Sequence, residues 1–397
     1  MDADHKKSYG HGPMVMDDAE LRARCESLVP VLRDQADDGE TQRRVPEATV
    51  LAFHDADLFR AIVPTELGGH GLGLASVANG TRLLAHGCPA QAWTLSFLVL
   101  HGWLLARLPE RGRAEVFADG PVALAPAPLA PTGQVERVDG GFVLTGRWEW
   151  ATGVAHAAWV MVHALDTADF VSHFAVLPID EVVVDDDWFT SGMRATGSST
   201  SRVEGRVVPE QRTIPAASLL DGGVPLQGDG LAGTPVAPVL GLVAAAPALG
   251  AAEAVVDLYR ERLATRVLAY SLGDKAAEQP AAQVRLATAM SDLTSARARW
   301  DAAIATVAAA ASERAVDERL RVEARVASAA TVRASRRVIA DVCDGAGASV
   351  YRSSHPIQRF QRDVETLKGH VLFDWDRTAE LAGRFALGFD LRPTDLV

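Results

Sequence analysis

The sequence predicts an α+β protein in which a helical region, a β region and a second helical region follow one another. Three observations carry this. Apolar residues recur at helical spacing up to about residue 113, a Pro/Gly-rich change of texture near Ala118 introduces short strand-like runs, and Ala-rich helical spacing returns after residue 239. With 397 residues, 48% hydrophobic and 23% charged, the chain can bury a large core, and global disorder is excluded.

Residues 1–16 are polar and read as a disordered leader, with His5 and His11 as solvated tail residues rather than metal ligands. An N-terminal helical domain spans 17–118. Leu21, Cys25, Leu28 and Leu32 share one helical face, a glycine-rich loop runs over 63–71, and helices follow over about 76–86 and 90–108. A central β domain spans 119–230. Its strands are predicted over 134–138, 141–144, 159–164 and 174–179, with Asp139-Gly140 as a hairpin turn. A C-terminal helical bundle spans 231–397, with Leu286, Met290, Leu293 and Arg297, and Val322, Val326, Ala329 and Arg333, at helical spacing.

Lys+Arg 39 against Asp+Glu 51 leaves a net charge of -12, whose field repels nucleic acid and anionic lipid. Four of the 39 cations are lysines, a bias read first as genome composition. Cys25, Cys88 and Cys343 are sparse and form no C-x-x-C pair, which fits a reducing compartment and no zinc site. The N-terminus does not read as a signal peptide. The longest apolar run, near 92–108, is broken by His101 and Gly102 and is too short for a membrane span. A soluble cytoplasmic protein is expected.

Gly69-His70-Gly71-Leu72-Gly73 lacks the third glycine and the preceding strand of a dinucleotide fingerprint. Asp185-Asp186-Asp187 reads as a solvated turn, and no metal site is predicted. Two stretches say more. In Gly146-Arg147-Trp148-Glu149-Trp150-Ala151-Thr152-Gly153, a strand would place Trp148, Trp150 and Thr152 on one face. They could line the edge of a flat heteroaromatic ring or form a core tryptophan pair. After the break at Gly345-Ala346-Gly347, His355-Pro356 opens a helix. On it Phe360, Val364, Leu367 and Val371 form an apolar stripe beside a polar one of Arg359, Asp363, Thr366, His370 and Asp374. His370 could exchange protons at a cavity wall or stand on the surface.

Together, Val63-Pro64-x-Glu66-Leu67-Gly68-Gly69, Trp150-Ala151-Thr152-Gly153, Gly192-Met193-Arg194-Ala195-Thr196-Gly197-Ser198 and Pro356-Ile357-Gln358-Arg359-Phe360-Gln361-Arg362-Asp363-Val364 resemble the acyl-CoA dehydrogenase superfamily over residues 18–390. The dehydrogenases' Tyr-Glu-Gly-Thr tract is not retained, and Val371 stands where its glutamate would fall. The branch most resembled is the oxygenase component of two-component flavin monooxygenases, which carries a histidine at the spacing of His370 from Asp363.

That resemblance implies a tetramer that takes reduced FMN or FAD from a separate NAD(P)H:flavin reductase. It implies O2 as co-substrate and hydroxylation of an aromatic or polycyclic small molecule through a flavin C4a-hydroperoxide. His370 would be the catalytic residue, deprotonating a phenol or orienting the peroxide. Trp150, Thr152 and Gly153 would line the flavin's central ring, with Thr152 near N5. Trp93 would stand behind the flavin, and Arg266 and Gly347 would contact its phosphate or ribose. Ala125-Pro126-Ala127-Pro128, in place of a more polar tract, favours a larger apolar substrate over a small phenol. A dehydrogenase of acyl thioesters and an N-oxidising enzyme of amines or amino sugars remain alternatives.

Overall fold

Leu21, Cys25, Leu28 and Leu32 are buried along one side of the first helix, α1 (Asp18–Asp34), as their spacing predicts. The computed structural model describes residues 15–392 and 394–397, so His5 and His11 lie outside the described residues. Met16, assigned above to the leader, is buried, and its backbone N–H donates to His70 Nδ1 at 3.0 Å. The described residues therefore begin inside the expected leader.

The N-terminal region continues with α2 (Ala36–Gln42), α3 (Glu47–Asp55), α4 (Leu74–Leu84), α5 (Pro89–Leu105) and α6 (Glu110–Val116). Helices as short as α2, α3 and α6 hold about two turns, too few for a periodic signal.

The β region is one seven-stranded mixed sheet: β1 (Gly133–Val138), β2 (Gly141–Trp148), β3 (Trp159–Asp166), β4 (Ser172–Pro178), β5 (Val183–Val184), β6 (Ser201–Pro209) and β7 (Thr213–Pro215). Its order is β5-β6-β2-β1-β3-β4-β7, with β1 and β3 parallel and the other pairs antiparallel. Period-two alternation divides its faces. Val160, Val162, Ala175 and Leu177 enter a core private to the sheet, whereas Met161, Phe174 and Val176 join the core of the helices. β6 escaped the sequence reading because four successive residues from Glu204 are exposed. β2 ends at Trp148, whose indole N–H donates to the His163 carbonyl at 2.7 Å. Trp150 therefore shares no strand face with it; its backbone is left-handed (φ 69°) and its side chain is 63% exposed. The aspartates of the 185–187 turn are consumed locally: Asp185 pairs with Arg202, Asp186 with Arg43, and Asp187 accepts from Thr200 N.

A short helix, α7 (Ala216–Leu220), follows β7 within the predicted β region, and the C-terminal region comprises α8 (Val236–Thr265), α9 (Pro280–Ser312), α10 (Glu318–Ala346), α11 (Pro356–Leu367) and α12 (Trp375–Ala386). Among the described residues, the helix that combines membrane-spanning length with apolar composition is α8, not the 92–108 run. It is long and apolar enough to cross a bilayer, but 94% of its apolar window is buried within the molecule, where it is the central core helix. In α9 the predicted stripe is rotated: Ala289, Ala296, Trp300 and Ile304 are buried, while Met290 is exposed. In an Ala-rich helix the larger apolar residues do not single out the inner face. One hydrophobic core runs through both helical regions, so the two do not form separate bundles. Finally, α11 stops at Leu367, and the polar stripe does not continue as helix to His370 and Asp374.

Candidate functional site

All 17 residues of α5 are buried, with Pro89 starting the helix. Helix α5 is thus the spine on which two other segments close. Trp93, Phe97 and His101 lie at successive steps of four and form one line of rings. Trp93 stacks on Phe97 with centroids 4.5 Å apart, and Phe97 meets His101 edge-on at 5.4 Å. The line extends across the molecule to His370, which meets Trp93 edge-on at 5.5 Å and packs against Phe373. His370 reaches this place as the cap of a short 3-10 turn, Val371–Phe373, after α11 has ended.

The two histidines differ in polarity. His101 Nδ1 lies 2.7 Å from the Ala125 carbonyl, which can only accept, so Nδ1 carries the hydrogen and Nε2 is an acceptor. His370 Nδ1 accepts from Leu372 N at 3.3 Å, so in the neutral ring Nε2 carries the hydrogen and is a donor. Burial pushes both down to about 4, and for His370 the Arg325 charge adds to this. Both are neutral imidazoles at physiological pH, one accepting and one donating. In this tautomer His370 Nε2 would donate toward a ligand, whereas a base role toward a phenol would need Nε2 free of hydrogen.

The adjacent face of α5 meets the loop after β2. Gly153 has φ 75°, where a side chain would be strained, and a Cβ there would crowd Thr94 Cγ2 and Leu98 Cδ2 at 3.1 Å, so the loop packs closely on the helix. Thr152, beside it, is buried, and its hydroxyl lies 2.9 Å from Ser198 Oγ. Ser198 belongs to the 192–198 loop, which is pinned to α11 because Asp363 Oδ1 accepts from Met193 N at 2.6 Å. Asp363 is buried, its Oδ2 has no partner among the described residues, and desolvation raises its carboxyl to about 7.

The expected site residues divide accordingly. Trp93, Thr152, Gly153 and His370 come together around α5. Trp150 does not join them; it turns to solvent and meets Trp188 edge-on at 5.5 Å. Arg266 and Gly347 do meet, but elsewhere, where α8 and α10 end. Arg266 donates to the carbonyls of Gly345 and Ala346, and a Cβ on Gly347 (φ 81°) would stand 2.4 Å from an Arg266 nitrogen. Arg262 donates beside it to Ala346 O and Ser349 Oγ. Among the described residues, no hydrogen bond or ring contact joins this basic cluster to the Trp93–His370 line.

Sequence reasoning missed His101, taking it as a break in an apolar run. Its position two helical turns beyond Trp93 was the available signal. It also missed Ser198 and Thr196, whose roles depend on a partner in another loop.

The arrangement fits a reduced flavin. Thr152 Oγ1 is a buried oxygen to which no N–H donates among the described residues, and reduced flavin carries an N–H at N5. Trp93 supplies an aromatic wall.

The acyl-CoA dehydrogenase C-terminal domain family matches residues 242–375. A pigment production hydroxylase of Rhodococcus sp. (strain ATCC 21145) is 33% identical over 375 residues, covering 93% of this chain and 96% of that protein. HsaA, the oxygenase subunit of a flavin-dependent monooxygenase of Mycobacterium tuberculosis (strain ATCC 25618 / H37Rv), is 31% identical, covering 92% and 95%. The structure of XiaF from Streptomyces sp. in complex with FADH2 and glycerol superposes with a TM-score of 0.87 at 28% identity, covering 94% and 96%.

Fold and site together define a flavin-dependent oxidoreductase of acyl-CoA dehydrogenase architecture. Within that class the chain belongs to the oxygenase components of the two-component flavin-dependent monooxygenases. It uses reduced flavin, delivered by a separate reductase, and O2.

Proposed function

We propose that this enzyme hydroxylates a phenolic ring system larger and less polar than a simple phenol, bound against α5 between His101 and the Thr152–His370 side. The observation that carries this reading is the opposed polarity of the two neutral histidines at the ends of one aromatic line. His101 Nε2 accepts the substrate's O–H and orients the ring. His370 Nε2–H donates toward the oxygen being transferred. Trp93 and Phe97 exclude water between them, which keeps oxidising equivalents from being lost as peroxide. Reduced FMN or FAD, when bound, supplies the electrons that activate O2.

The names of related enzymes support a phenolic substrate, since they include a resorcinol hydroxylase and a p-hydroxyphenylacetate 3-hydroxylase. The buried, side-chain-poor Ala125 and Ala127 support a larger apolar one. Arg266, beside Gly347, has a guanidinium edge left over for a flavin phosphate. Three buried, unpaired cysteines support a reducing cytoplasm. An open apolar groove along α9, α10 and α12, lined by Ala302, Ala303, Val307, Val322 and Phe385, supports assembly as a homotetramer.

The test supplies reduced flavin with a foreign reductase and measures hydroxylated product and peroxide for phenols of graded size. Product with polycyclic phenols and mostly peroxide with resorcinol is expected. The opposite order would overturn the substrate reading.

A further inference from the structure

The hydroxyl of Thr152 ends a chain of three hydroxyls whose direction follows from chemistry alone. Thr196 Oγ1 lies 2.9 Å from the Met193 carbonyl oxygen. A carbonyl cannot donate, so Thr196 spends its one hydroxyl hydrogen there. Ser198 Oγ lies 2.8 Å from Thr196 Oγ1, and with the Thr196 hydrogen committed, Ser198 must be the donor. Thr152 Oγ1 lies 2.9 Å from Ser198 Oγ, and with the Ser198 hydrogen committed in turn, Thr152 must donate as well. The chain reads Thr152 to Ser198 to Thr196 to Met193 O.

All three hydroxyls are buried, so water does not readily substitute for a partner. The far end is held: Met193 has a left-handed backbone (φ 54°), its N–H is bound by Asp363, and its carbonyl also accepts from Trp188 Nε1 at 3.2 Å. Thr152 is left with lone pairs and no hydrogen to offer a ligand.

We infer that Ser198 and Thr196 are positioning residues that make Thr152 an acceptor only, so that the site selects reduced over oxidised flavin. The inference rests on the reading that Thr152 meets flavin N5. Reduced flavin has a hydrogen on N5 and can donate to Thr152. Oxidised flavin has only a lone pair there, which would face the lone pairs of Thr152. An enzyme that receives its flavin from a reductase gains from this polarity, because spent flavin is released and replaced.

The test is direct binding without turnover: dissociation constants for oxidised flavin in air and for reduced flavin under anaerobic conditions. In Ser198→Ala the Thr152 hydrogen loses its acceptor and can turn to N5 of the oxidised ring. Affinity for oxidised flavin should rise about fivefold to tenfold, the worth of one hydrogen bond, while affinity for reduced flavin holds. Thr196→Val should act in the same direction, because Ser198 is then free to donate to Thr152. Ser198→Thr keeps the hydroxyl and should restore the wild-type preference. Thr152→Ala should instead weaken reduced flavin without weakening oxidised flavin. If Ser198→Ala and Thr196→Val leave oxidised-flavin affinity unchanged while Thr152→Ala weakens reduced flavin, the relay does not set the polarity. If Thr152→Ala changes neither affinity, Thr152 does not meet N5, and the placement of the flavin itself is overturned.

Discussion

The imidazole of His370 meets the indole of Trp93 edge to face, with centroids 5.5 Å apart and ring planes at 70°. Trp93 stands on α5 in the N-terminal helical region, and His370 follows α11 near the other end of the chain. Their contact exists because both regions share one hydrophobic core. It lets a tryptophan fix the ring orientation of a histidine whose Nδ1 is already engaged by Leu372 N.

Replacing His370 by Ala should leave reduced-flavin binding in place, because Thr152 and Trp93 are untouched. Product should fall by ~10²-fold or more, the usual worth of a positioned proton donor, while oxygen consumption persists as released peroxide. Product and peroxide are measured together. Full coupling in the variant would remove His370 from the chemistry.

His101 carries a linked pH prediction. Its folded value of about 4 lies below the ordinary 6.5, so between those values the unfolded chain binds a proton that the folded chain refuses. Its contribution to stability is complete above about pH 6.5 and is lost as the pH falls toward 4. His101→Ala should flatten the acid limb of a denaturation-midpoint profile by on the order of 1–3 kcal/mol. It should also lower hydroxylation by ~10²-fold if Nε2 receives the substrate O–H. An identical acid limb with unchanged product would contradict both parts.

Asp363 has the opposite sign. Its carboxyl, raised from 3.8 to about 7, favours folding fully below about pH 4, and that advantage disappears as the pH rises through 7. Asp363→Asn keeps an oxygen for Met193 N–H and removes the buried charge. The variant should gain on the wild type between pH 5 and pH 8, by roughly 1–3 kcal/mol. Chemical denaturation at the two pH values checks this; a difference that does not change with pH would mean the carboxylate is compensated by a partner.

Light scattering tests assembly. A homotetramer is expected, since the groove along α9, α10 and α12 leaves Ala302 exposed and Ala303 and Phe385 only half-buried in one chain. A stable species at the 42.2 kDa of one chain, at micromolar concentration, would overturn it.

Much of the architecture is written locally. The α–β–α order, the Asp139-Gly140 hairpin, the buried face of α1 and the start of α11 at Pro356 each follow from periodicity or turn chemistry within a single element. Trp93, Thr152, Gly153 and His370 were reached through short motifs, and the fold brings them together. Other features depend on what a residue meets across the molecule. On a helix buried all round, no periodic pattern separates a functional ring from core packing, so His101 passed as an interruption. The end of β2 at Trp148 sent Trp150 to solvent, although strand alternation would have kept both on one face. The sequence by itself determined which elements form and which chemical groups they carry. Only the tertiary structure decided which histidine accepts, which donates, and which way the Thr152 hydroxyl points. A hydrogen bond's direction depends on both partners, and here the partners lie on segments far apart in the chain.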